Sequence, residues 1–496
     1  MSHRSGGRGP STTELVDVTR IDGGWAELRD GRRRAALEVD AVNLILKGDA
    51  ERDLVWRRYR RALSALAGSI SLYTYSRPLP PPAASTGASG PQAQADSAFA
   101  RELLSRGTVH SRRHLAVVWD DPAPGTLGVL PAFRRAPRPT IDLERRRQAL
   151  AASFEGAGLH CRPVSDGTWL GLLQEHTGGR SGRVPADFPS WLAPDSAVVE
   201  ADQLVCPGRV CRSLVVQGYP RRLAVGWLAP VVLSPPCPLR LAQHLYPIPK
   251  LASLGHLRRR IRSFETGLEV DRRRGRRPDT GTRAALGDAL ALEERVLLEE
   301  ERLFRMLTCI TLEAATKEEL DTAWHRLIAS LAELGCTPVP LTNRQVDGWR
   351  ATLPAGIDPL GWTRDMTAGA AATALPFLRA GLSTGSGVLL GPSPVSRELI
   401  SVDILAATNP NRNVVVLGTS GAGKSYTTKV LAARLAISGC RIRCLDPSGE
   451  YLELAHLLGG TVVELGAAGT AGLNLLGPAA PGQDQARRAS RAAGLV

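Results

Sequence analysis

The sequence is poor in lysine, in cysteine and in long apolar runs, and two of these shortages exclude classes of protein. Eight cysteines in 496 residues, with no C-x-x-C pair, are too few for a disulfide framework. No segment approaches the ~18–20 consecutive apolar residues that a membrane-spanning helix needs, and the first residues lack the apolar core of a signal peptide. We therefore expect reduced thiols and a chain that is either soluble or held at a membrane only from outside.

Positive charge is in excess and is carried almost entirely by arginine. Lysine and arginine number 62 against 48 acidic residues, and only five of the 62 are lysines. This balance favours an anionic partner, which could be nucleic acid, acidic lipid or an acidic protein. Arginine clusters at residues 258–260 and 271–283 leave two alternatives open. They contact phosphates or anionic lipid, or they lie in a solvated loop, which we favour because arginine is common throughout the sequence. No aromatic residues interleave the second cluster, so a base-stacking platform is unsupported.

Composition and patterning divide the chain into three predicted regions. Helix and strand patterns alternate over residues 1–200, which predicts an N-terminal α/β domain with a ferredoxin-like topology as one option. Within it, the Pro-, Ala- and Ser-rich residues 77–97 predict a disordered surface loop. Residues 201–375 predict a middle helical and α/β region, and residues 376–496 predict an incomplete P-loop ATPase domain.

Several elements are predicted with definite boundaries. Residues 16–28 read as one strand, and residues 282–306 as one amphipathic helix followed by a strand at 307–312. Thr316 and Glu319 stand at capping-box spacing, so a second helix is predicted to begin there.

The segment GTSGAGKS at residues 418–425 fits G-x-x-x-x-G-K-[ST] at every position. An apolar strand is predicted directly before it, at 414–417, and a helix follows at 427–437. This is the strand–loop–helix context that the phosphate-binding motif requires. Further strands predicted at 441–445 and 461–465 would complete the beginning of a RecA-like fold with a parallel sheet.

Each residue type in this segment is suited to binding a nucleotide phosphate or its metal ion. Glycines allow positive φ and let the backbone approach an oxyanion, and the N–H groups at the start of a helix attract negative charge. We predict a catalytic role for Lys424 at the β- and γ-phosphates of ATP, and we predict that Ser425 coordinates Mg²⁺. The predicted nucleotide-binding residues are Gly418, Thr419, Ser420, Gly421, Ala422, Gly423, Lys424, Ser425 and Tyr426.

Two acidic residues follow the second predicted strand. Asp446 and Glu450 lie in DPSGEY, where ligands gather in a parallel sheet, so they could face the nucleotide, Mg²⁺ or its waters. Alternatively, Asp446 caps the following turn and Glu450 is solvated. Spacing alone leaves both interpretations open.

From residue 374 onward the sequence resembles the conjugation and type IV secretion ATPases of the VirB-four kind, within the wider HerA/FtsK P-loop group. The elements that match, in order, are ALPF at 374–377, Asn409-Pro410-Asn411, GTSGAGKSYTTK, LDPSGEY at 445–451 and LLGG at 457–460. The resemblance places Asp446 on the acidic motif as a metal ligand and Glu450 there as a catalytic residue.

The resemblance also implies a biological setting. It implies a homo-hexameric, cytoplasmic ATPase attached peripherally to the inner face of the cell membrane, where it works with secretion-channel subunits and moves DNA or protein. No apolar strand ending in Asp-Glu follows Lys424, and no arginine finger is recognisable, so we expect the chain to cover only the first part of the ATPase domain.

Three functions remain open on the sequence. The first is a conjugation or secretion motor, and the second is a HerA/FtsK-like pump that acts on DNA directly. The third is a truncated product that binds nucleotide without hydrolysing it.

Overall fold

In the computed structural model the chain folds as two compact units. The first holds the described residues up to 380 together with 392–400, and the second holds 388–391 and the described residues from 401 onward. The structure describes residues 12–78, 110–119, 140–178, 188–220, 223–275, 280–380, 388–393, 398–406 and 411–464.

The described part of the first unit is built on one sheet of thirteen strands, in which every described pairing is antiparallel. The strands β1 to β13 are Val18–Asp22, Trp25–Leu28, Arg33–Val39, Ile70–Pro78, His110–Val118, Cys161–Pro163, Val198–Val199, Leu204–Cys206, Arg209–Gly218, Leu239–Pro247, Leu303–Ala314, Thr337–Pro340 and Arg364–Thr367. The described helices α1 to α10 are Asp49–Ser64, Thr140–Gly156, Asp166–Thr177, Phe188–Leu192, Ala229–Leu233, Lys250–Arg273, Thr280–Leu297, Lys317–Glu333, Gln345–Ala351 and Ala368–Thr373.

The elements from β3 to β6 form a ferredoxin-like unit. The chain runs β3-α1-β4-β5-α2-β6, and the strands lie side by side in the order β6-β3-β5-β4. The same βαββαβ path recurs in β9-α5-β10-β11-α8-β12, with the strands in the order β12-β9-β11-β10. The predicted α/β class is therefore confirmed, and the ferredoxin-like topology occurs twice.

The two repeats join edge to edge through β4 and β10. These strands pair antiparallel from Ile70 opposite Leu245 to Ser76 opposite Leu239. A short hairpin precedes each repeat (β1-β2 and β7-β8), and one further helix follows each (α3 and α9). The main path β1-β2-β3-β5-β4-β10-β11-β9-β8-β7 therefore has the same element order from either end.

Each face of the sheet buries its own core. The helices α1, α2, α5 and α8 cover one face, where they pack on alternate strand residues such as Leu72, Leu241 and Ile310. The helices α3, α4 and α9 cover much of the other face, with Trp169 and Trp349 buried against it. The first unit therefore has three layers, with the antiparallel sheet in the middle.

Charged residues are buried where the two repeats meet. Glu313 lies 3.0 Å from Arg77, 3.1 Å from Arg209 and 3.2 Å from Arg240, and the Arg240 side chain is 1% exposed. Three guanidinium groups thus share one carboxylate, beside an open cavity of about 740 Å³ that is lined partly by Arg209 and Glu313.

Arg112 on β5, in the first repeat, contacts Glu398 and the helix α5 of the second repeat. Its guanidinium lies 2.7 Å from the carboxylate of Glu398 and donates a 2.9 Å hydrogen bond to the carbonyl of Val232 at the end of α5. The ALPF segment is also buried, because Phe377 packs edge-on against Tyr59 and His114.

The second unit contains two described helices, α11 (Lys424–Ile437) and α12 (Leu452–Leu457). The strands β14 (Val388–Pro392) and β15 (Leu399–Val402) form a two-stranded sheet.

Some predicted boundaries are wrong. Residues 16–28 form two strands rather than one, because Gly23 and Gly24, with φ of 63° and 82°, turn the chain between β1 and β2. The helix predicted to continue to residue 306 ends at Leu297. Glu299 has a φ of 62°, which does not continue a helix. The strand β11 begins at Leu303, and its side chains are buried on both faces of the sheet.

One arginine cluster lies on a helix rather than in a loop. Residues 258–260 belong to α6, and Arg258 forms a 2.7 Å ion pair with Glu293 of α7. The solvated loop expected there is therefore wrong.

The helix predicted from the capping spacing is confirmed, since Thr316 Oγ1 accepts the Glu319 N–H at 3.3 Å. The predicted 77–97 loop begins too early, because Arg77 and Pro78 belong to β4, and its other residues lie outside the described part. The division at residues 200 and 375 stays a prediction. Among the described residues, no helix is long and apolar enough to cross a membrane.

Candidate functional site

The GTSGAGKS segment is a loop that leads directly into α11. The helix begins at Lys424, and its N-cap residue, Gly423, is left-handed with a φ of 84°. Gly421 is also left-handed, with a φ of 77°, so the chain turns sharply on both sides of Ala422. A Cβ atom at Gly421 or Gly423 would meet nothing within 4 Å, so the space in front of this backbone is open.

Gly418 has a different reason to be glycine. A Cβ atom there would lie 3.3 Å from both the Ala422 Cβ and the Lys424 Cγ, so the loop closes on itself at this point. The Ala422 N–H donates to the Thr419 carbonyl at 3.3 Å, which helps to hold the turn. The loop therefore curls ahead of the helix, as a phosphate-binding segment must.

The Lys424 side chain folds back over this loop. Its ammonium donates a 2.7 Å hydrogen bond to the Thr419 carbonyl, and within the described part of the chain no carboxylate forms an ion pair with it. A positive charge thus lies at the N-terminus of a 14-residue helix, where the helix dipole adds to its attraction for an anion.

The remaining predicted nucleotide-binding residues lie close by in sequence and structure. Thr419 and Ser420 form the exposed turn, Ser425 is the second residue of α11, and Tyr426 is 73% exposed. The loop residues Gly418, Ala422 and Gly423 connect them, so the structure brings the predicted set into one surface segment.

This segment fits the phosphates of ATP with Mg²⁺. The N–H groups around the left-handed glycines and the Lys424 ammonium would hold the phosphates, and the Ser425 hydroxyl would be the protein ligand of Mg²⁺. The ion would neutralise charge on the β- and γ-phosphates. Among the described residues, no group of three His, Cys, Asp or Glu side chains could hold a metal ion.

Asp446 caps its own turn. Its Oδ2 accepts the Tyr451 N–H at 2.7 Å, and Gly449 in the same turn has a φ of 72°. The Tyr451 amide, with those of Glu450, Ser448 and Gly449, lowers the pKa of this carboxyl group. This is the capping alternative, so the metal role of Asp446 and the catalytic role of the exposed Glu450 stay predictions.

Sequence reasoning missed one contact that links the DPSGEY turn to α11. The Lys429 ammonium lies 5.5 Å from the centre of the Tyr451 ring, a cation–π geometry. Lysine is rare in this sequence, and Lys429 lies five residues after Lys424 on α11, which is the signal that could have drawn attention to it. Arg434, on the same helix, donates to the Leu389 carbonyl of β14.

The parallel sheet predicted around this site is not formed by the described residues. The segments 414–417, 441–445 and 461–464 carry no strand hydrogen bonds. Their apolar side chains are exposed, to 77% at Val415, 87% at Leu417 and 89% at Leu445. The pattern showed apolar segments, but a strand also needs a neighbour that accepts and donates its backbone hydrogen bonds.

Comparison with known proteins gives one family match, which includes the GTSGAGKS segment. Residues 396–476 match the family model described as "Helicase HerA, central domain", a stretch that contains both GTSGAGKS and DPSGEY. No curated protein matches the chain. The matched region is therefore similar to the HerA-like group of P-loop ATPases.

Proposed function

We propose that this chain is an ATP-binding motor subunit of a conjugative transfer or type IV secretion system, which couples ATP hydrolysis to movement of DNA or protein across a membrane. The observation that carries the proposal is the loop at 418–425, where two left-handed glycines and the Lys424 ammonium stand at the start of α11. The HerA-type match supports the ATPase class, and the order ALPF, Asn-Pro-Asn, GTSGAGKS, DPSGEY and LLGG supports the conjugation setting.

The proposal also includes an assembly state and a location in the cell. The motor acts as a homo-hexamer in the cytoplasm, attached to the inner face of the cell membrane through channel subunits. The excess of basic residues supports attachment to a surface with anionic lipid, because such a surface attracts basic proteins.

The proposal predicts that Lys424→Ala removes nucleotide binding. The substitution deletes the cation at the phosphate site, so Mg-ATP should raise the melting temperature of the wild-type chain but not of the variant. Lys317→Ala is the matched control, because Lys317 is exposed and is likewise the first residue of a helix, α8.

The same variants test the biological role. Plasmid transfer should be lost with Lys424→Ala in the gene that encodes this chain and should continue with Lys317→Ala. Unchanged transfer with Lys424→Ala would contradict the proposal.

The HerA/FtsK-like pump is the second candidate, and the description of the matching family is what favours it. ATP turnover that double-stranded DNA stimulates, with a steep dependence on salt, would select it over the secretion motor. ATP binding without turnover would instead select the non-hydrolysing alternative.

A further inference from the structure

The helix α11 carries two lysines that face different parts of the second unit. Lys424 begins the helix, and its ammonium lies over the GTSGAGKS loop, 2.7 Å from the Thr419 carbonyl. Lys429 follows five residues later, which places its Cα about 7.5 Å further along the helix axis and about 140° around it. The Lys429 ammonium lies 5.5 Å from the centre of the Tyr451 ring. The two cations therefore have separate partners.

The partner of Lys429 is an aromatic ring rather than a carboxylate. Within the described chain this lysine forms no ion pair, and both Lys429 and Tyr451 are half-buried. An ammonium within about 6 Å of a ring centre is attracted by the negative face of the ring. Partial burial strengthens that attraction because less water screens it. The contact therefore fixes the Tyr451 ring against the side of α11.

The DPSGEY turn is closed on itself by its first residue. Asp446 Oδ2 accepts the Tyr451 N–H at 2.7 Å, and Gly449 allows the reversal of the chain with a φ of 72°. Tyr451 is also the N-cap residue of α12. Because the two ends of the turn are joined, a contact at the Tyr451 ring sets the position of the whole turn.

Glu450 is the charged residue that this arrangement leaves available. It is exposed, it directly precedes Tyr451, and its carboxylate forms no ion pair within the described chain. The Asp446 carboxylate, in contrast, faces the amides of its own turn. Mg²⁺ keeps several of its waters when it binds with a nucleotide, and a carboxylate can accept hydrogen bonds from them. Of the two acids in this turn, Glu450 is therefore the one suited to that role.

We propose that Lys429 and Tyr451 are positioning residues, whose contact holds the DPSGEY turn beside α11 so that Glu450 reaches the waters of a nucleotide-bound Mg²⁺. The inference rests on the proposed function, because it requires ATP and Mg²⁺ at residues 418–425. It deepens that function by assigning a role to two residues outside the GTSGAGKS segment. Neither residue touches the nucleotide, so losing their contact should change the part of the binding that depends on Mg²⁺.

The test measures binding of a non-hydrolysable ATP analogue to the full chain by isothermal titration, once with Mg²⁺ and once with EDTA. In Tyr451→Leu, the gain in affinity that Mg²⁺ provides should fall about two- to five-fold, the factor that corresponds to one cation–π contact near a protein surface. Lys429→Met should give the same loss, because it removes the other half of the contact. The affinity in EDTA should stay that of the wild type, since Lys424 and the loop glycines are unchanged.

Conservative and combined variants test whether the two residues act together and through Glu450. Tyr451→Phe keeps the ring and Lys429→Arg keeps the cation, so both should retain the gain from Mg²⁺. The double variant Tyr451→Leu with Lys429→Met should lose no more than either single variant. Glu450→Gln should itself reduce the gain, and adding Tyr451→Leu to it should cause no further loss.

The matched control removes a similar contact from the first unit. Arg260 lies 5.9 Å from the centre of the Phe264 ring on α6, and this ring is half-buried like that of Tyr451. Phe264→Leu should therefore bind the analogue as the wild type does, both with Mg²⁺ and with EDTA. Thermal unfolding of every variant measures how much stability each substitution removes.

Several results would overturn the proposal. Tyr451→Leu with a lower melting temperature but an unchanged gain from Mg²⁺ would show that the contact only stabilises the fold. Equal losses with Mg²⁺ and with EDTA, no recovery in Tyr451→Phe, or a further loss in the Glu450→Gln background would also contradict it. A wild-type chain that binds no ATP would overturn this inference and the proposed function together, whereas a wild-type thermal shift with unchanged variants overturns this inference alone.

Discussion

The protonation of His114 is controlled by its burial in the core. It is buried on β5, where its Nδ1–H donates to Thr74 Oγ1 at 2.9 Å, while that hydroxyl donates to the Pro376 carbonyl. Burial, together with the smaller effect of the nearby Arg112, lowers the pKa of His114 from 6.5 to about 3. The ring therefore stays neutral in the folded protein but takes up a proton when the chain unfolds below about pH 6.5.

We predict that this histidine makes folding sensitive to acid. Between pH 6.5 and about 3 the unfolded chain binds the extra proton, so His114 lowers the free energy of unfolding by about 1.4 kcal/mol per pH unit. His114→Asn keeps a donor for Thr74 and removes the titration. Urea unfolding between pH 7.5 and 5 should therefore show a shallower decline for the variant, and equal slopes would contradict the prediction.

Single residues also show what the sequence reveals about the site. The glycines at 421 and 423 and Lys424 were identified from their spacing, because the backbone geometry of the loop depends on residue type alone. The contact of Lys429 with Tyr451 was not, because it joins two segments whose approach depends on the tertiary structure. The choice between capping and metal binding at Asp446 likewise required the position of the Tyr451 N–H.

Left-handed glycines stand at both ends of the element α11. Gly423 lies at its N-terminus, with a φ of 84°, and Gly439 lies just beyond its C-terminus, with a φ of 87°. A Cβ atom at either position would meet nothing within 4 Å. Replacing either glycine with alanine therefore adds a similar backbone cost of about 1 kcal/mol and no clash.

The two ends should nevertheless differ in function. Gly423→Ala should weaken Mg-ATP binding about five-fold, because a strained backbone there misplaces the N–H groups that face the phosphates. Gly439→Ala should lower the melting temperature by about as much as Gly423→Ala does but leave the ATP affinity unchanged. Isothermal titration with Mg-ATP measures the affinity of each variant. Equal affinities of the two variants would show that the Gly423 turn does not position the nucleotide.

Elements were predicted best where a local signal marks their ends. The helix α8 was placed correctly because Thr316 caps it, a contact between residues three apart. The boundary between α7 and β11 was misplaced because Leu303 and Phe304 also continue the helical apolar pattern, and only their burial in the sheet shows otherwise. The segment 414–417 was predicted as a strand from the same kind of pattern and has no strand partner among the described residues.

The first unit as a whole should unfold cooperatively. The pairing of β4 with β10 makes one sheet of the two repeats, and the core on the α1 side contains residues of both, such as Leu37 and Leu241. Removing a large side chain from one repeat therefore removes stability from the other.

The test substitution is Leu241→Ala on β10, where the side chain is 0% exposed. It should lower the free energy of unfolding by about 2–5 kcal/mol and speed hydrogen exchange of β3 amides in the other repeat by a corresponding factor. Leu290→Ala, on α7 and outside the sheet, is the control and should change stability by about 0.5 kcal/mol or less. Faster exchange confined to β9, β10 and β11 would show that the repeats unfold separately.

The sequence predicted the α/β class of this unit but not its duplication. The alternating apolar residues of β4 and β10 indicate strands with one buried face, although both faces are buried in the structure, and such a pattern does not specify which strand lies alongside. The pairing of Ile70 with Leu245 spans more than a hundred residues, and only the assembled sheet determines it.

Because β4 and β10 pair antiparallel, the chain leaves these two strands at opposite ends of their shared ladder. The chain leaves β4 at Pro78, beside the first residue of β10, and leaves β10 at Pro247, near the first residue of β4. Over a nine-residue strand these points are about 27 Å apart. Because α6 follows the second of these points, the α6–α7 pair begins at the end of the β4–β10 ladder opposite to the one where the chain leaves β4.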